Sequence, residues 1–367
     1  MRIPIILFGL GQVGSAFLRQ LVKARNTLAQ NRGLNLLVVG LADSAHMFFD
    51  PAGLGDECLL ALMEAKELGG SLATQAGGHA KPDNQTLLDA LLPALDKAPI
   101  VIDATATEGM GQLLDCALDR GCRLVLANSR ALVGAWSFSR RFFETPNVRF
   151  EATVGAGLPA TRTLRDLLDT GDHASAIEGS LSGTVGYVCS QLQLDVSFSG
   201  ALMQARELGY TEPDPREDLS GQDSARKILV MGRLAGWPLE MRDVQVERLC
   251  SAKLSSLPEE QFLGRVSELD NTMARRVQVA HGEGRVLRYV AEIDPGGGRV
   301  GLRAVPKISQ LGVLQGPECL LTMYTARYTV SPLTISGRGV GRELAAAALL
   351  SDVACLANSS LSSLRAG

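Results

Sequence analysis

The stretch Ile3-Pro4-Ile5-Ile6-Leu7-Phe8-Gly9-Leu10-Gly11-Gln12-Val13-Gly14 decides the fold. An apolar run that reads as a β-strand passes directly into three glycines at G-x-G-x-x-G spacing, and helical periodicity follows. Glycines at these positions permit a tight turn and close backbone approach. The N–H groups and positive dipole end of the helix can then receive a pyrophosphate. A lone G-x-G-x-x-G is weak, and a plain strand-to-helix turn is the competing reading. Its place between a strand and a helix is what makes it specific. Gly9, Gly11, Gln12, Val13 and Gly14 are therefore candidates to cradle a dinucleotide. The apolar start has no small-residue cleavage site, so it reads as a strand and not as a targeting segment.

Working outward, apolar runs predict strands at 3–8, 35–41, 99–104, 122–127 and 148–153, alternating with helices at 12–29, 57–68, 84–96 and 109–119. That alternation implies a parallel sheet with crossover helices. The interval 69–82 lacks periodicity and reads as a loop. Beyond about residue 150 the pattern becomes α+β, with helices at 159–169, 184–193, 199–207 and 221–235, a strand near 176–182, and short strands between 240 and 330. Gly337-Arg338-Gly339-Val340-Gly341 then opens a helix through about 357. The expected architecture is α/β, a Rossmann-type dinucleotide-binding domain joined to an α+β domain. Asp43, just past the second strand, could accept from the ribose hydroxyls of NAD and repel a 2′-phosphate, or be a solvated loop acid. Thr105 lies at a strand's carboxyl end, where open α/β sheets bind ligands. A turn-forming role fits it equally.

With 367 residues and 46% hydrophobic composition, the chain is long enough for two cores. A net charge of −3 without a basic stripe argues against nucleic acid. No run approaches the roughly 20 apolar residues that a membrane helix needs, so a soluble protein is expected. Seven cysteines, mostly within apolar segments and without a Cys-x-x-Cys pair, fit reduced thiols and a cytoplasmic location. Four histidines, none paired at ligand spacing, argue against a zinc site.

The chemistry concentrates in 208–227, LGYTEPDPREDLSGQDSARK. Two X-Pro pairs predict an extended loop carrying Glu212, Asp214, Glu217 and Asp218, like charges that a small cation such as an amino acid's ammonium would offset. Ser220-Gly221-Gln222-Asp223 has capping-box spacing, and Asp223 to Lys227 is an i,i+4 acid-to-base pair on one helical face. The segment therefore reads either as a substrate site or as a capped helix with a surface ion pair.

These residues carry a resemblance. Four segments, Glu151 to Pro159, Ser182-Gly183-Thr184, 208–227 and Gly337 to Gly341, occur in one order after the glycine turn. Together they resemble homoserine dehydrogenase over nearly the whole chain. The resemblance implies reversible, NAD(P)-dependent oxidation of L-homoserine to L-aspartate 4-semialdehyde by a homodimer. It implies a dinucleotide-binding domain over 1–148, a substrate and dimerisation domain over 149–333, and a segment 334–367 that returns to the first domain. Lys227 looks like the family's catalytic lysine and Asp223 its partner. Glu212 and Asp218 look like the acids that hold the substrate, with Gly183 and Thr184 near substrate and nicotinamide. Gly341 resembles the glycine beside the cofactor. Glu151 and the backbone of Val154, Ala156 and Leu158 would surround a monovalent cation, often sodium.

Lys227 fits the chemistry, because hydride transfer to an aldehyde builds negative charge on oxygen that a cationic proton donor stabilises. To act as a base near neutral pH its pKa would have to fall from about 10.4, and Asp223 opposes that fall. The chain also departs from the family pattern. Ser129 follows Asn128 where the family shows a lysine, Gly186 stands where a polar residue is common, and Arg338 interrupts the terminal glycine turn. Ser129 raises an alternative, altered substrate or reduced activity on the same fold, or a dinucleotide-binding protein without turnover. The sequence reads as the monofunctional form, without an aspartokinase segment before the fold or a regulatory domain of about 70 or more residues after it.

Overall fold

In a computed structural model, residues 2–68, 78–81 and 83–365 are described. The loop expected at 69–82 falls largely outside them. The chain divides into two compact units, Met1–Thr153 with Arg342–Gly367, and Val154–Gly341.

The first unit is built on a seven-stranded sheet of β1 (Arg2–Phe8), β2 (Asn35–Ala42), β3 (His46–Phe49), β4 (His79–Ala80), β5 (Ile100–Asp103), β6 (Arg123–Leu126) and β7 (Val148–Arg149), in the order β4-β3-β2-β1-β5-β6-β7. The strands from β2 to β7 pair in parallel, whereas β3 and β4 add an antiparallel edge. β1 and β5 are buried on both faces, as central parallel strands with helices above and below must be. On one face Ile3, Ile5, Leu7, Val38, Ile100 and Ile102 pack against Phe17, Leu18 and Leu21 of the helix Gln12–Arg32. The same core takes Ala346, Leu349, Val353 and Ala357 from the helix Arg342–Arg365. Each fully buried Leu, Ile or Phe contributes about 1.5–3 kcal/mol. Gly33 ends the first helix in the left-handed region (φ 65°), its N–H donating to Ala29 O.

Two sequence expectations need correction here. The strand expected over 148–153 stops at Arg149, and Glu151–Thr153 forms a 3-10 turn instead. The helix Trp136–Glu144, which the periodicity did not single out, buries Phe142 and Phe143, the latter 5.3 Å from Phe150 ring to ring.

The second unit is a six-stranded sheet of β8 (Ala174–Ser180), β9 (Val244–Val246), β10 (Arg285–Asp294), β11 (Gly297–Pro306), β12 (Glu318–Thr325) and β13 (Leu333–Arg338), ordered β13-β12-β8-β10-β11-β9. All its pairs are antiparallel except β11 with β9. The helix Gln222–Leu234 packs on β10, β11 and β8, and buries Ile228, Leu229, Val230 and Met231. Between 240 and 330 the expectation of short strands alone fails, because Ala252–Ser255, Glu259–Arg265 and Asp270–Gly282 are helices. Ser251 starts the first of these, its hydroxyl accepting from Leu254 N at 3.2 Å. Pro159 caps the helix Ala160–Asp169 and is not its first residue, since its backbone (φ −76°, ψ 56°) is not helical.

Candidate functional site

The glycine turn of the first unit is shaped by close approach. A Cβ on Gly9 (φ 95°) would lie 2.5 Å from Ala104 O, and one on Gly14 would lie 2.0 Å from Gly9 O. At Gly11, the N-cap, a Cβ would meet nothing within 4 Å. The helix it opens carries no acid in its first turn. Its positive end therefore faces open space without a side-chain counter-charge, which suits a phosphate group. Gln12 is the exposed first helical residue, and Val13 is half-buried against the core.

Asp43 is engaged at both oxygens. Oδ1 accepts from Ala45 N (2.9 Å) and His46 N (2.8 Å), and Oδ2 accepts from Lys66 Nζ (2.9 Å). Burial would raise its carboxyl, but the Ala45 and His46 N–H groups and the Lys66 ammonium hold it below the usual range. An acid whose charge is already matched repels a 2′-phosphate less than a bare one would. Lys66 is invisible to sequence reasoning because it lies 23 residues away on another element.

At the carboxyl end of β5, Asp103 Oδ1 accepts from both Thr105 N (2.9 Å) and Thr105 Oγ1 (2.7 Å). Thr105 Oγ1 in turn accepts from Thr107 N and Asn128 Nδ2, both at 3.3 Å. One hydrogen and two lone pairs are thereby used, so the Thr105 hydroxyl serves the turn in this structure. Asp103 is fully buried, and its Oδ2 has no hydrogen-bond partner. Burial pushes this carboxyl up to about 6. Asn128 Nδ2 also donates to Thr107 O at 2.8 Å, fastening the β5 loop to the β6 loop. The next residue, Ser129, is half-buried, its carbonyl accepting from Leu132 N at 3.0 Å. Arg130 pairs with Glu108.

In the second unit the acidic stretch becomes a helix start. Asp214 caps the short helix Pro215–Leu219, accepting from Arg216 N at 3.0 Å, and the Arg216 guanidinium neutralises it, with Nε 2.8 Å from Oδ1. The extended loop expected from two X-Pro pairs therefore ends at Asp214, because a proline is well suited to a first helical position. The capping box expected at Ser220 and Asp223 does not form. Gly221, in the left-handed region (φ 72°), is the N-cap of Gln222–Leu234, and Ser220 Oγ donates back to Glu217 O at 2.6 Å. A Cβ on Gly221 would lie 2.0 Å from the Tyr289 hydroxyl.

Lys227 Nζ lies 2.6 Å from Asp223 Oδ2 and donates to Leu181 O at 3.0 Å. Its side chain is 19% exposed, while Asp223, crowded by protein atoms, keeps 47%. Burial would lower the Lys227 ammonium, but the Asp223 charge outweighs it and holds the lysine above its ordinary range. Burial would likewise raise Asp223, and Lys227 with Arg226 carries it below. The opposing pulls on Lys227 thus resolve in favour of the charged form. Thr184 Oγ1 lies 2.6 Å from Tyr210 O and 2.8 Å from Asp218 Oδ1, and Asp218 Oδ2 accepts from Glu212 N at 2.9 Å. Desolvation, reinforced by Glu212 and Asp223, pushes Asp218 up to about 6. Desolvation with the Asp223 and Glu217 charges also raises Glu212. Two of these anchors, Leu181 O and Tyr210 O, are backbone carbonyls that no sequence pattern marks.

Gly183 begins the helix Gly183–Leu192, where a Cβ would lie 1.8 Å from Val340 Cγ1. Gly341 is exposed (φ 122°), with open space where a Cβ would be. In the stretch expected to surround a cation, Glu151 is buried, its N–H donating to Asp352 Oδ2 at 2.8 Å. Gly155 (φ 68°) and Ala156 (φ 54°) are both left-handed, and Leu158 N donates to Gly155 O at 3.0 Å. Val154 and Leu158 are buried. Among the described residues no group of three or more His, Cys, Asp or Glu is arranged to hold a metal ion, and no helix is long and apolar enough to cross a membrane.

A parallel sheet with a glycine turn at its first helix, and an α+β unit carrying a lysine amid carboxylates, define a Rossmann-type dinucleotide-binding protein with an acid-lined polar site. Family models agree. The homoserine dehydrogenase NAD-binding domain matches residues 9–144, and the homoserine dehydrogenase domain matches residues 159–354. The chain belongs to the homoserine dehydrogenase family. It is 32% identical to the homoserine dehydrogenase of Emericella nidulans, with 96% of this chain and 98% of that one covered. It is also 32% identical to a chloroplastic bifunctional aspartokinase/homoserine dehydrogenase of Zea mays, over 96% of this chain but only 38% of that protein's length. A Candida auris protein of unknown function has a similar crystal structure, with 30% identity, a TM-score of 0.84, and 97% and 98% of the two chains covered.

Proposed function

We propose that the chain catalyses the reversible NAD(P)-dependent oxidation of L-homoserine to L-aspartate 4-semialdehyde, a step toward threonine, methionine and isoleucine. The observation that carries the reading is Lys227, charged and fixed between Asp223 and Leu181 O, in the same unit as the Thr184, Asp218 and Glu212 cluster. Glu212 and Asp218 take the substrate's ammonium. In the direction of reduction Lys227 donates a proton to the carbonyl oxygen as negative charge develops there, and in oxidation it must first lose that proton and accept the hydroxyl's. A nicotinamide nucleotide bound at Gly9, Gly11, Gln12, Val13 and Gly14 supplies or accepts the hydride. Asp43, Thr105 and Gly341 complete that binding set, with Thr105 contributing its carbonyl because both its N–H and its hydroxyl are committed to Asp103. Apart from Gly341, the residues of the nucleotide set lie in the first unit, and those that take the amino acid lie in the second. A structural sodium ion on Glu151 and the Val154, Ala156 and Leu158 carbonyls fits the family, and the left-handed pair Gly155 and Ala156 supplies a turn of the kind whose carbonyls a hard cation takes. A cytoplasmic homodimer fits the family.

Purified protein given L-homoserine with NAD or NADP should generate reduced-nicotinamide absorbance, and silence with both would reject the proposal. A second reading rests on Ser129, which cannot supply the charge that the family places after its Asn. It predicts slow turnover, another preferred substrate, or cofactor binding without turnover. Ser129→Lys raising the rate by 10-fold or more, on the scale of single transition-state contacts, would favour it.

A further inference from the structure

Proton counting at Thr184 leads beyond the assignment of the substrate acids, although it rests on that reading of the site. A threonine hydroxyl has one hydrogen to give and two lone pairs with which to accept. Thr184 Oγ1 is 2.6 Å from the Tyr210 carbonyl oxygen and 2.8 Å from Asp218 Oδ1. The carbonyl can only accept, so the hydroxyl hydrogen points to Tyr210. Asp218 Oδ1 must then bring its own hydrogen, because two lone pairs facing each other at that distance repel. The other carboxyl oxygen already accepts from Glu212 N. We propose that Asp218 holds a proton in the substrate-free site and releases it when an ammonium-bearing substrate binds, so that the site is charged by the ligand it selects.

The surroundings favour the neutral acid. Thr184 is buried, and the charges that act on Asp218 from its surroundings are the carboxylates Glu212 and Asp223. Asp223 is matched by Lys227 and Arg226, and Asp214 by Arg216, while Glu217 adds negative charge beside Glu212. No cation on these elements is left to pair with Asp218 until a ligand brings one. The step balances simply. The Asp218 O–H bond breaks, its proton passes to the buffer, and the carboxylate pairs with the incoming ammonium. A ligand without an amine leaves the proton in place, and Asp218 thereby becomes a specificity-determining residue.

The test is calorimetric binding of L-homoserine in the presence of NADH or NADPH, where oxidation cannot proceed, repeated in buffers of different ionisation enthalpy. With a free-site value of about 6, about nine-tenths of a proton per site should be released at pH 5, about half at pH 6 and almost none at pH 8. The dissociation constant should rise about tenfold per pH unit below 6. Asp218→Asn should abolish the release at pH 5, whereas Glu217→Gln, on the same short helix, should keep it. Folding of each variant is checked by circular dichroism. Binding at pH 5 without proton release by the unaltered protein overturns the proposal and leaves the proposed activity standing. Release that persists in Asp218→Asn also overturns it. If L-homoserine binds at no pH with either nucleotide, the reading of the site falls and the proposal with it.

Discussion

Each unit sets an aspartate against a lysine, and the two pairs do different work. Asp43 and Lys66 meet at 2.9 Å across 23 residues, with the acid's other oxygen held by two backbone N–H groups. Asp223 and Lys227 meet at 2.6 Å within one helix, and the lysine's second contact is a backbone carbonyl. In the first pair the backbone fixes the acid, so the lysine is an adjunct to a rigid carboxylate. In the second the carbonyl fixes the lysine, whose ammonium the acid keeps charged. A similar ion pair thus leaves a fixed carboxylate in one unit and a held ammonium in the other, according to which partner the backbone holds.

The sharpest way to break this comparison is Lys227→Ala. It should lower kcat by about 100-fold to 1,000-fold with little loss of stability, because Arg226 still faces Asp223 at 3.4 Å. A fall in melting temperature without a kinetic defect would make the pair a surface brace. Gly221→Ala tests whether the helix that carries Lys227 is tightly seated. A Cβ there would meet the Tyr289 hydroxyl in a left-handed conformation, so about 2–4 kcal/mol of stability should be lost in chemical denaturation.

Asp103→Asn comes next and concerns pH. The folded value of Asp103, about 6, lies above the ordinary 3.8, so folding favours the protonated form. That contribution is fully present below about pH 4 and is lost as pH rises through 6. The total is about 2–3 kcal/mol. In Asp103→Asn, urea titrations between pH 4 and 7.5 should show a smaller decline than the unaltered protein. An identical decline would mean that Asp103 is not the group responsible. Asp223→Asn should move the alkaline loss of reductive activity to lower pH, since the carboxylate is what keeps Lys227 charged. The smallest effect is expected from Lys66→Ala. Leaving Asp43 unmatched should cut kcat/KM for NADPH relative to NADH by about 2–5-fold, the scale of one partly exposed charge. An unchanged ratio would remove Lys66 from cofactor selection.

Much of this was legible where the determinants are local. The glycine turn declares itself because strand, glycines and helix are contiguous, and the i,i+4 spacing of Asp223 and Lys227 survives folding intact. The capping box failed because Gly221 adopts a left-handed conformation and takes the N-cap itself, leaving Ser220 to close the helix before it. The helices between 252 and 282 were read as strands because short apolar runs carry too few residues to separate the two periodicities. Lys66, Leu181 O and Tyr210 O could not be found at all, since their roles arise only when distant segments pack. The commitment of the Thr105 hydroxyl to Asp103 follows from a turn geometry that the residue types allow but do not require.

The helix Arg342–Arg365 has a consequence for how the protein is made. Its Ala346, Leu349, Val353 and Ala357 complete a core whose other walls are β1 and the helix Gln12–Arg32. During synthesis, Phe17, Leu18 and Leu21 therefore wait for partners more than three hundred residues downstream, while all of Val154–Gly341 emerges in between. The intervening unit can fold before the one that precedes it is finished, and the nascent first unit presents an unfinished apolar face for most of translation. A ribosome-bound chain halted before residue 342 should accordingly bind a holdase chaperone that the full-length protein ignores.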